Sequence, residues 1–466
     1  MEKVLLDPES VVQLNPNYVI RLEYFGGILY DKQHMGYYGL NRTASDILFL
    51  TQYSLSLSDI VSLLSRIYEL KPSEIMDVVS EFLYPLLTNG VVKKGHKKGN
   101  PNNAFNQLEK MRKFVDQLKY LSAPLTAFLY LTWKCNIKCK YCFLKAPRRL
   151  LREPLTLEEI KKVIDELSEM RTFELCITGG EPLLDQRLPE VVKYACERGF
   201  TVNITTNGLL VNRELAKKLA TCNVNVQVPL HSSDFKIHDE LTGMPGSFEK
   251  AVDTIKLLVN LNMNVSVITI LQKANKDDLR NMLPLIKELG VHVWNIVELK
   301  PVGRADNSMA IPLKERLKII EELEREANKL GIQIIAEKPF FFVGDKGLSQ
   351  TLINDEFYKL FTRCGVRTGR YVEITPDGFV YPCDLLLGDT FPNLIAGDLR
   401  QNTFKEIWHS SEILNKFRNL KQEDMHGKCK SCIYFDLCGG KCRALAYSYY
   451  DGDLYAPDPR CPYEPK

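Results

Sequence analysis

The residues best suited to chemistry in this 466-residue chain are its 13 cysteines. Three of them stand in the stretch Thr132-Trp133-Lys134-Cys135-Asn136-Ile137-Lys138-Cys139-Lys140-Tyr141-Cys142-Phe143, with three and then two residues between them. Thiolates so spaced on one loop can converge on three irons of a cubane and leave the fourth open, which makes a site-differentiated 4Fe-4S cluster. A structural zinc loop is the rival reading, but zinc takes four protein ligands and no fourth Cys or His lies near Cys142.

Seven more cysteines follow toward the C-terminus: Cys364-x13-Gly378-x4-Cys383, then Cys429-x2-Cys432-x5-Cys438-x3-Cys442, then x18 to Cys461. Such density reads as metal binding, by iron–sulfur clusters or by two tetrahedral zinc sites completed with one outside ligand. Cys176, Cys196 and Cys222 lie within strand or helix patterns and read as core packing.

The elements that must position these thiols are legible between residues 125 and 345. Six strand-like runs, Leu125–Leu131, Phe173–Thr178, Phe200–Thr205, Val224–Leu230, Asn264–Leu271 and Val291–Leu299, alternate with amphipathic helical stretches. Six βα units predict an α/β domain built as a partial (β/α)6 TIM-like barrel. A polar motif follows each strand, where the loops of a barrel collect at its C-terminal face. In order these are the cysteine loop, Gly179-Gly180-Glu181-Pro182, Thr206-Asn207-Gly208, His231-Ser232-Ser233, Gln272-Lys273-Ala274-Asn275 and Lys300-Pro301-Val302-Gly303-Arg304.

Residues 1–95 predict a separate winged-helix-like domain. Tyr18–Tyr30, turned at Gly26-Gly27, and Met35–Leu40 supply short strands. Helices follow from Asn41 through Leu50, from Asp59 to Tyr68 behind Ser56 and Ser58, and from Pro72 to Leu87. The third helix carries Glu74, Asp77 and Glu81 on its polar side, which phosphates would repel, so nucleic acid is not the expected partner. Residues 96–124 read as a polar tether, Gly95 to Asn103, followed by a charged docking helix, Asn106 to Tyr120. Residues 346–466 form the cysteine-rich C-terminal domain.

With Tyr141 just before its last cysteine, the first loop resembles that of the radical S-adenosylmethionine (SAM) superfamily. The resemblance implies that the open iron chelates SAM, that an electron cleaves the sulfonium, and that the resulting 5′-deoxyadenosyl radical abstracts hydrogen from a substrate. Gly179, Gly180, Glu181 and Pro182 match the superfamily motif that receives the SAM amino group, and Thr205, Thr206 and Asn207 resemble its Thr-Asn-Gly segment. Relatives usually show Ser-Leu-Asp-Gly where this chain has Pro229-Leu230-His231-Ser232. Ser232 or Ser233 are candidates to take over those contacts, and His231 is a candidate base. The stretch from His238 to Phe248 also resembles the peptide-modifying branch.

The C-terminal spacing resembles the SPASM domain, which implies two auxiliary clusters of 4Fe-4S type, for three clusters in all. By that resemblance Cys429, Cys432, Cys438 and Cys461 hold the outer one. Cys364, Cys383 and Cys442 hold the inner one, which keeps an open iron because no further cysteine lies between Cys364 and Cys383. Asp384 matches the position of an Asp thought to accept a substrate proton in sulfatase-maturing relatives; a turn-forming aspartate is the plain alternative.

The first domain, through Tyr-Phe-Gly-Gly-Ile-Leu-Tyr and Leu-Asn-Arg-Thr-Ala, resembles the small partner protein of pyrroloquinoline quinone synthesis. That implies a leader peptide added as a strand to an exposed edge. The expected function is therefore a radical SAM cross-linking of a ribosomally made precursor peptide, thioether or carbon–carbon, with a flavodoxin or ferredoxin as electron donor. A sulfatase-maturing-type enzyme and one acting on a small molecule such as a tetrapyrrole are the alternatives.

Composition agrees with this class. A formal charge of +3 suggests no nucleic-acid or basic membrane partner. Met1 to Asp7 has no long apolar core, no run reaches a membrane span, and the thiols favour a reducing cytoplasm.

Overall fold

Alternation of short β-forming runs with capped helices sets the architecture from the N-terminus onward. The computed structural model describes residues 6–96, 98–222, 224–336, 355–387 and 392–464, and the expected domain boundary at 345/346 lies outside the described residues. The chain groups into two units, residues 6–122 with 355–361, and 123–336 with 362–464.

The first unit contains strands β1 (Val11–Leu14), β2 (Tyr18–Glu23), β3 (Gly26–Asp31), β4 (Gly36–Leu40), β5 (Leu55–Ser56) and β6 (Val92–Lys94). They form two three-stranded antiparallel sheets, β2-β3-β4 and β5-β1-β6. The second sheet is not anticipated by the sequence, because strands of two to four residues are too short to display a period of two.

Helices Arg42–Thr51, Leu57–Tyr68 and Pro72–Thr88 form where expected. Asn41 caps the first by accepting from Ala44 N–H, Ser56 and Asp59 close a capping box on the second, and Pro72 takes the first turn of the third.

The helix expected from Asn106 instead runs Pro101–Val115, because Asn100 accepts from the N–H groups of Asn102 and Asn103 and Pro101 opens the first turn. Its Ala104, Leu108 and Val115 join the core of this unit. Its Arg112 is buried and donates to Asp46 at 2.6 Å, to Ser45 Oγ at 2.7 Å and to the Gly26 carbonyl at 2.9 Å. A buried guanidinium is tolerated there because its N–H groups find acceptors.

In the second unit all six expected runs become strands, with ends shifted by two residues at most: β7 (Thr126–Thr132), β8 (Glu174–Gly179), β9 (Thr201–Thr205), β10 (Val224–Pro229), β11 (Asn264–Leu271) and β12 (Val293–Glu298). They lie side by side in parallel, as the βα repeat requires. Four further strands, β13 (Gln333–Ala336), β14 (Tyr371–Ile374), β15 (Phe379–Tyr381) and β16 (Gly397–Asp398), extend the sheet to the order β13-β12-β11-β10-β9-β8-β7-β14-β15-β16. β14 joins β7 in parallel, so the cysteine-rich segment continues the barrel sheet.

Alternate residues of each strand face opposite sides. Leu129, Ile177, Ile204 and Val226 are fully buried on one face. On the other, Asn203 donates to Glu174 at 3.0 Å and Asn225 donates to Asn203 at 2.9 Å. The interior of the open barrel is thus polar, with room for a ligand at its mouth.

Candidate active site at the strand C-termini

The cysteine loop leaves β7 and is gripped by four of its neighbours. Gly180 N–H donates to Thr132 O and Glu181 N–H to Lys134 O, both at 2.8 Å. Both glycines are needed for this approach: a Cβ on Gly179 would lie 2.4 Å from Thr132 O, and one on Gly180 would lie 2.1 Å from Lys134 O.

From the third strand loop, Asn207 Nδ2 donates to Asn136 Oδ1 at 2.7 Å. From the fourth, Leu241 O accepts from Lys140 N–H at 2.9 Å. From the sixth, Arg304 donates to Cys139 O at 2.7 Å and to Ala146 O at 2.8 Å. The three thiols are thereby fixed beside one another, and burial drives that of Cys139 up to about 12. Protonated thiols are the stable form of so enclosed a group until a metal supplies compensating positive charge.

Glu181 is buried and belongs to the same constellation. It accepts from Thr206 Oγ at 2.7 Å, Asn207 N–H at 2.8 Å and Leu183 N–H at 3.0 Å. A carboxylate offers about four lone-pair positions, so one remains for a ligand cation. Thr206 is spent on this bond, Thr205 faces Gln227 at 3.4 Å, and Pro182 begins a short turn behind the motif.

Tyr141 reaches the fourth strand loop, with its hydroxyl 2.5 Å from His231 Nε2. His231 is buried, which holds its pKa well below the ordinary histidine range, and His238 beside it is lowered to about 4 for the same reason. His231 is therefore neutral. Its Nδ1 accepts from Ile270 N–H at 3.3 Å, which leaves the proton on Nε2 toward Tyr141, whose own hydroxyl turns to Cys139. This histidine is a buried link in a hydrogen-bond chain, with both ring nitrogens engaged.

Ser232 and Ser233 are held within the protein. Both hydroxyls donate to Asp278, at 2.5 and 2.8 Å, because that carboxylate at the head of helix Leu279–Glu288 gathers them.

The seven C-terminal cysteines assemble in two groups. Cys364, Cys383 and Cys442 interact and lie against a core that includes Leu386 and Leu445. Cys429, Cys432, Cys438 and Cys461 line a small cavity of about 20 Å³ with Phe435 and Tyr463. Burial raises Cys442 to about 12 and Cys438 to about 11, again the protonated state that bound metal would reverse. Cys176 faces Asn203, and Cys196 hydrogen-bonds Cys222, so none of these three joins either group. The donor sets, three thiols and three thiols and four, suit iron–sulfur clusters.

Asp384 follows Cys383, accepts from Leu385 N–H at 2.8 Å and lies 3.2 Å from Cys383 Sγ. Sequence reasoning missed its neighbour Glu373 on β14. That side chain is buried, and burial, with Asp384 nearby, lifts its pKa well above the carboxylate range. A single glutamate in a short strand gives no signal until the strand is known to line the barrel. Arg304 was likewise visible only as part of a loop, and its clamp on the cysteine loop depends on the tertiary fold.

Residues 129–286 match the radical SAM superfamily, residues 364–433 match the iron–sulfur cluster-binding SPASM domain, and residues 26–92 match coenzyme PQQ synthesis protein D. Mycofactocin maturase MftC of Mycolicibacterium smegmatis is 31% identical over 349 residues, covering 73% of this chain and 83% of that protein. AdoMet-dependent heme synthase of Methanosarcina barkeri is 29% identical over 353 residues, covering 74% of this chain and 98% of its own. The crystal structure of Streptococcus suis SuiB bound to the precursor peptide SuiA has the same fold, with a TM-score of 0.79 at 18% identity over 97% of this chain and 100% of that one. Among the described residues no helix is long and apolar enough to cross a membrane.

Proposed function

The chain belongs to the radical SAM superfamily, in the branch with a C-terminal SPASM domain, and we propose that it cross-links a ribosomally made precursor peptide held through its leader. One observation carries this reading: a PQQ-synthesis-D-like module at residues 26–92 shares the chain with an iron–sulfur barrel. We assign residues 1–95 to leader recognition, 96–124 to the connection, 125–345 to the radical SAM barrel and 346–466 to the SPASM domain. Among the described residues the outer strands of the two small sheets of the first unit pair on one side only, and such edges suit addition of an extended peptide strand.

Cys135, Cys139 and Cys142 would hold the SAM-binding cluster, with Cys429, Cys432, Cys438 and Cys461 on an outer cluster and Cys364, Cys383 and Cys442 on an inner one. The cofactors supply hydrogen-atom abstraction and uptake of the leftover electron. The chain supplies the rest: Glu181 receives the SAM ammonium, Gly179 and Gly180 let the motif reach the cysteine loop, and Thr206 and Asn207 orient Glu181. Tyr141 would sit beside the bound cofactor, and Asp384 would take up the proton released as the cross-link closes. A flavodoxin or ferredoxin of the cytoplasm is the fitting electron donor.

The test is anaerobic co-expression with short cysteine-bearing peptides encoded beside the gene. A product lighter by one H2 per cross-link supports the function, and an unchanged peptide refutes it. A tetrapyrrole substrate is the second reading, favoured by the heme synthase match along nearly all of that relative. It predicts that residues 1–95 bind no peptide.

A further inference from the structure

A second feature of the barrel mouth lies beside the cysteine loop. Between the cysteine loop and the ends of β11 and β12 lies an open cavity of about 730 Å³, rimmed by Lys138, Lys140, Lys273 and Arg304, with Glu240 as its acidic lining residue. Lys140 pairs with Glu240 at 2.7 Å and Arg304 is engaged by two loop carbonyls. Among the described residues, neither Lys138 nor Lys273 has a carboxylate within ion-pair reach, and both are exposed. Asp306, the acid that senses Lys273, is turned to Ser308.

The positive character extends along the loop: residues 133–152 contain Lys134, Lys138, Lys140, Lys145, Arg148, Arg149 and Arg152 and no acid, although the whole chain carries only +3.

Gln272 gives an independent indication of a ligand. It lines the same cavity, is fully buried, and has no partner for either its amide nitrogen or its amide oxygen. A buried, unpaired amide is costly, and one that offers both a donor and an acceptor matches a peptide group. Its backbone is fixed by Asn275, whose side chain accepts from Gln272 N–H at 2.9 Å and donates to His231 O at 2.8 Å.

We propose that this cavity is a substrate subsite that receives an acidic segment of the peptide: Lys138 and Lys273 meet its carboxylates and Gln272 pairs with its backbone. The proposal rests on the peptide-modifying function and names the substrate chemistry that the barrel mouth selects. A concave site with a buried amide favours an inserted segment over the flat face of an acidic electron donor.

The test uses the full chain with its clusters reconstituted, and fluorescence anisotropy of a labelled twelve-residue peptide of alternating Glu and Gly against its Gln counterpart. The acidic peptide is expected to bind at least fivefold tighter at low salt, with the preference shrinking as salt rises. The exposed-site variant K138E/K273E should abolish that preference, and Q272L should weaken both peptides severalfold. Iron content and far-UV circular dichroism check folding, and K138E/K273E alone suffices should Q272L misfold. Equal binding of the two peptides, or a preference untouched by K138E/K273E, overturns the subsite. So does a variant that merely slows reduction by a flavodoxin while peptide binding stays intact. The two readings fail separately: indifference to peptide charge refutes the subsite, whereas a natural precursor unchanged in mass refutes the modifying function.

Discussion

Replacing Glu181 with Gln isolates the bond that ties the glycine-rich motif to the third strand loop. The wild-type carboxylate accepts from Thr206 Oγ and Leu183 N–H on one oxygen and from Asn207 N–H on the other. A glutamine keeps the shape but carries one acceptor. Its oxygen will settle where two donors converge, which leaves its NH2 facing Asn207 N–H. One buried bond to a charged acceptor is lost, a cost of about 1.5–3 kcal/mol. Local opening around Asn207 should then become roughly 10- to 150-fold more frequent. Hydrogen–deuterium exchange of the backbone amides from Thr206 to Gly208 reads this directly, and SAM affinity measured alongside should fall with the lost charge. Unchanged protection at Asn207 together with unchanged SAM affinity would refute both the structural bridge and the ammonium contact.

Other outcomes follow from the same geometry. H231F leaves Tyr141 and Ile270 N–H without their shared partner, and thermal denaturation should show a loss of about 1–3 kcal/mol. D384N should slow peptide turnover about 100-fold while SAM cleavage continues, if that carboxylate takes the product proton; product and 5′-deoxyadenosine formation measured together decide it. Asp398 is held below the usual carboxylate range chiefly by bidentate bonding to Arg152, at 2.5 and 2.7 Å. A depressed acid stabilises the fold above its unfolded pKa of about 3.9 and loses that contribution as pH falls through the folded value. D398N should therefore be less stable by about 1 kcal/mol at neutral pH and converge with wild type in acid.

The six barrel strands could be read from the chain because each is an apolar run bounded by a polar loop, and parallel strands buried on one face need that pattern. The place of β14 beside β7 was not legible, since pairing across some 240 residues leaves no local mark. The same gap hid Glu373, Arg304 and the cavity beside Gln272, all of which depend on long-range contacts. His231 was visible as a departure from the family, while its burial against Tyr141 and His238 was not, because polarity in a loop suggests solvent. Asn100 and Pro101 did carry a helix start, and only the surrounding Gly and Asn residues disguised it as tether. The division of the seven C-terminal thiols follows the SPASM resemblance and not their spacing, which puts Cys442 beside Cys438 although it faces Cys364 and Cys383.

Iron analysis and electron paramagnetic resonance of the anaerobically reconstituted chain and of C135A/C139A/C142A test the open-site cluster most directly. Wild type should lose about four irons on making the triple variant, and only wild type should change its reduced signal when SAM is added. Equal iron in both proteins, zinc in place of iron, or a SAM-induced signal that survives in the variant would contradict a radical SAM centre at those three cysteines.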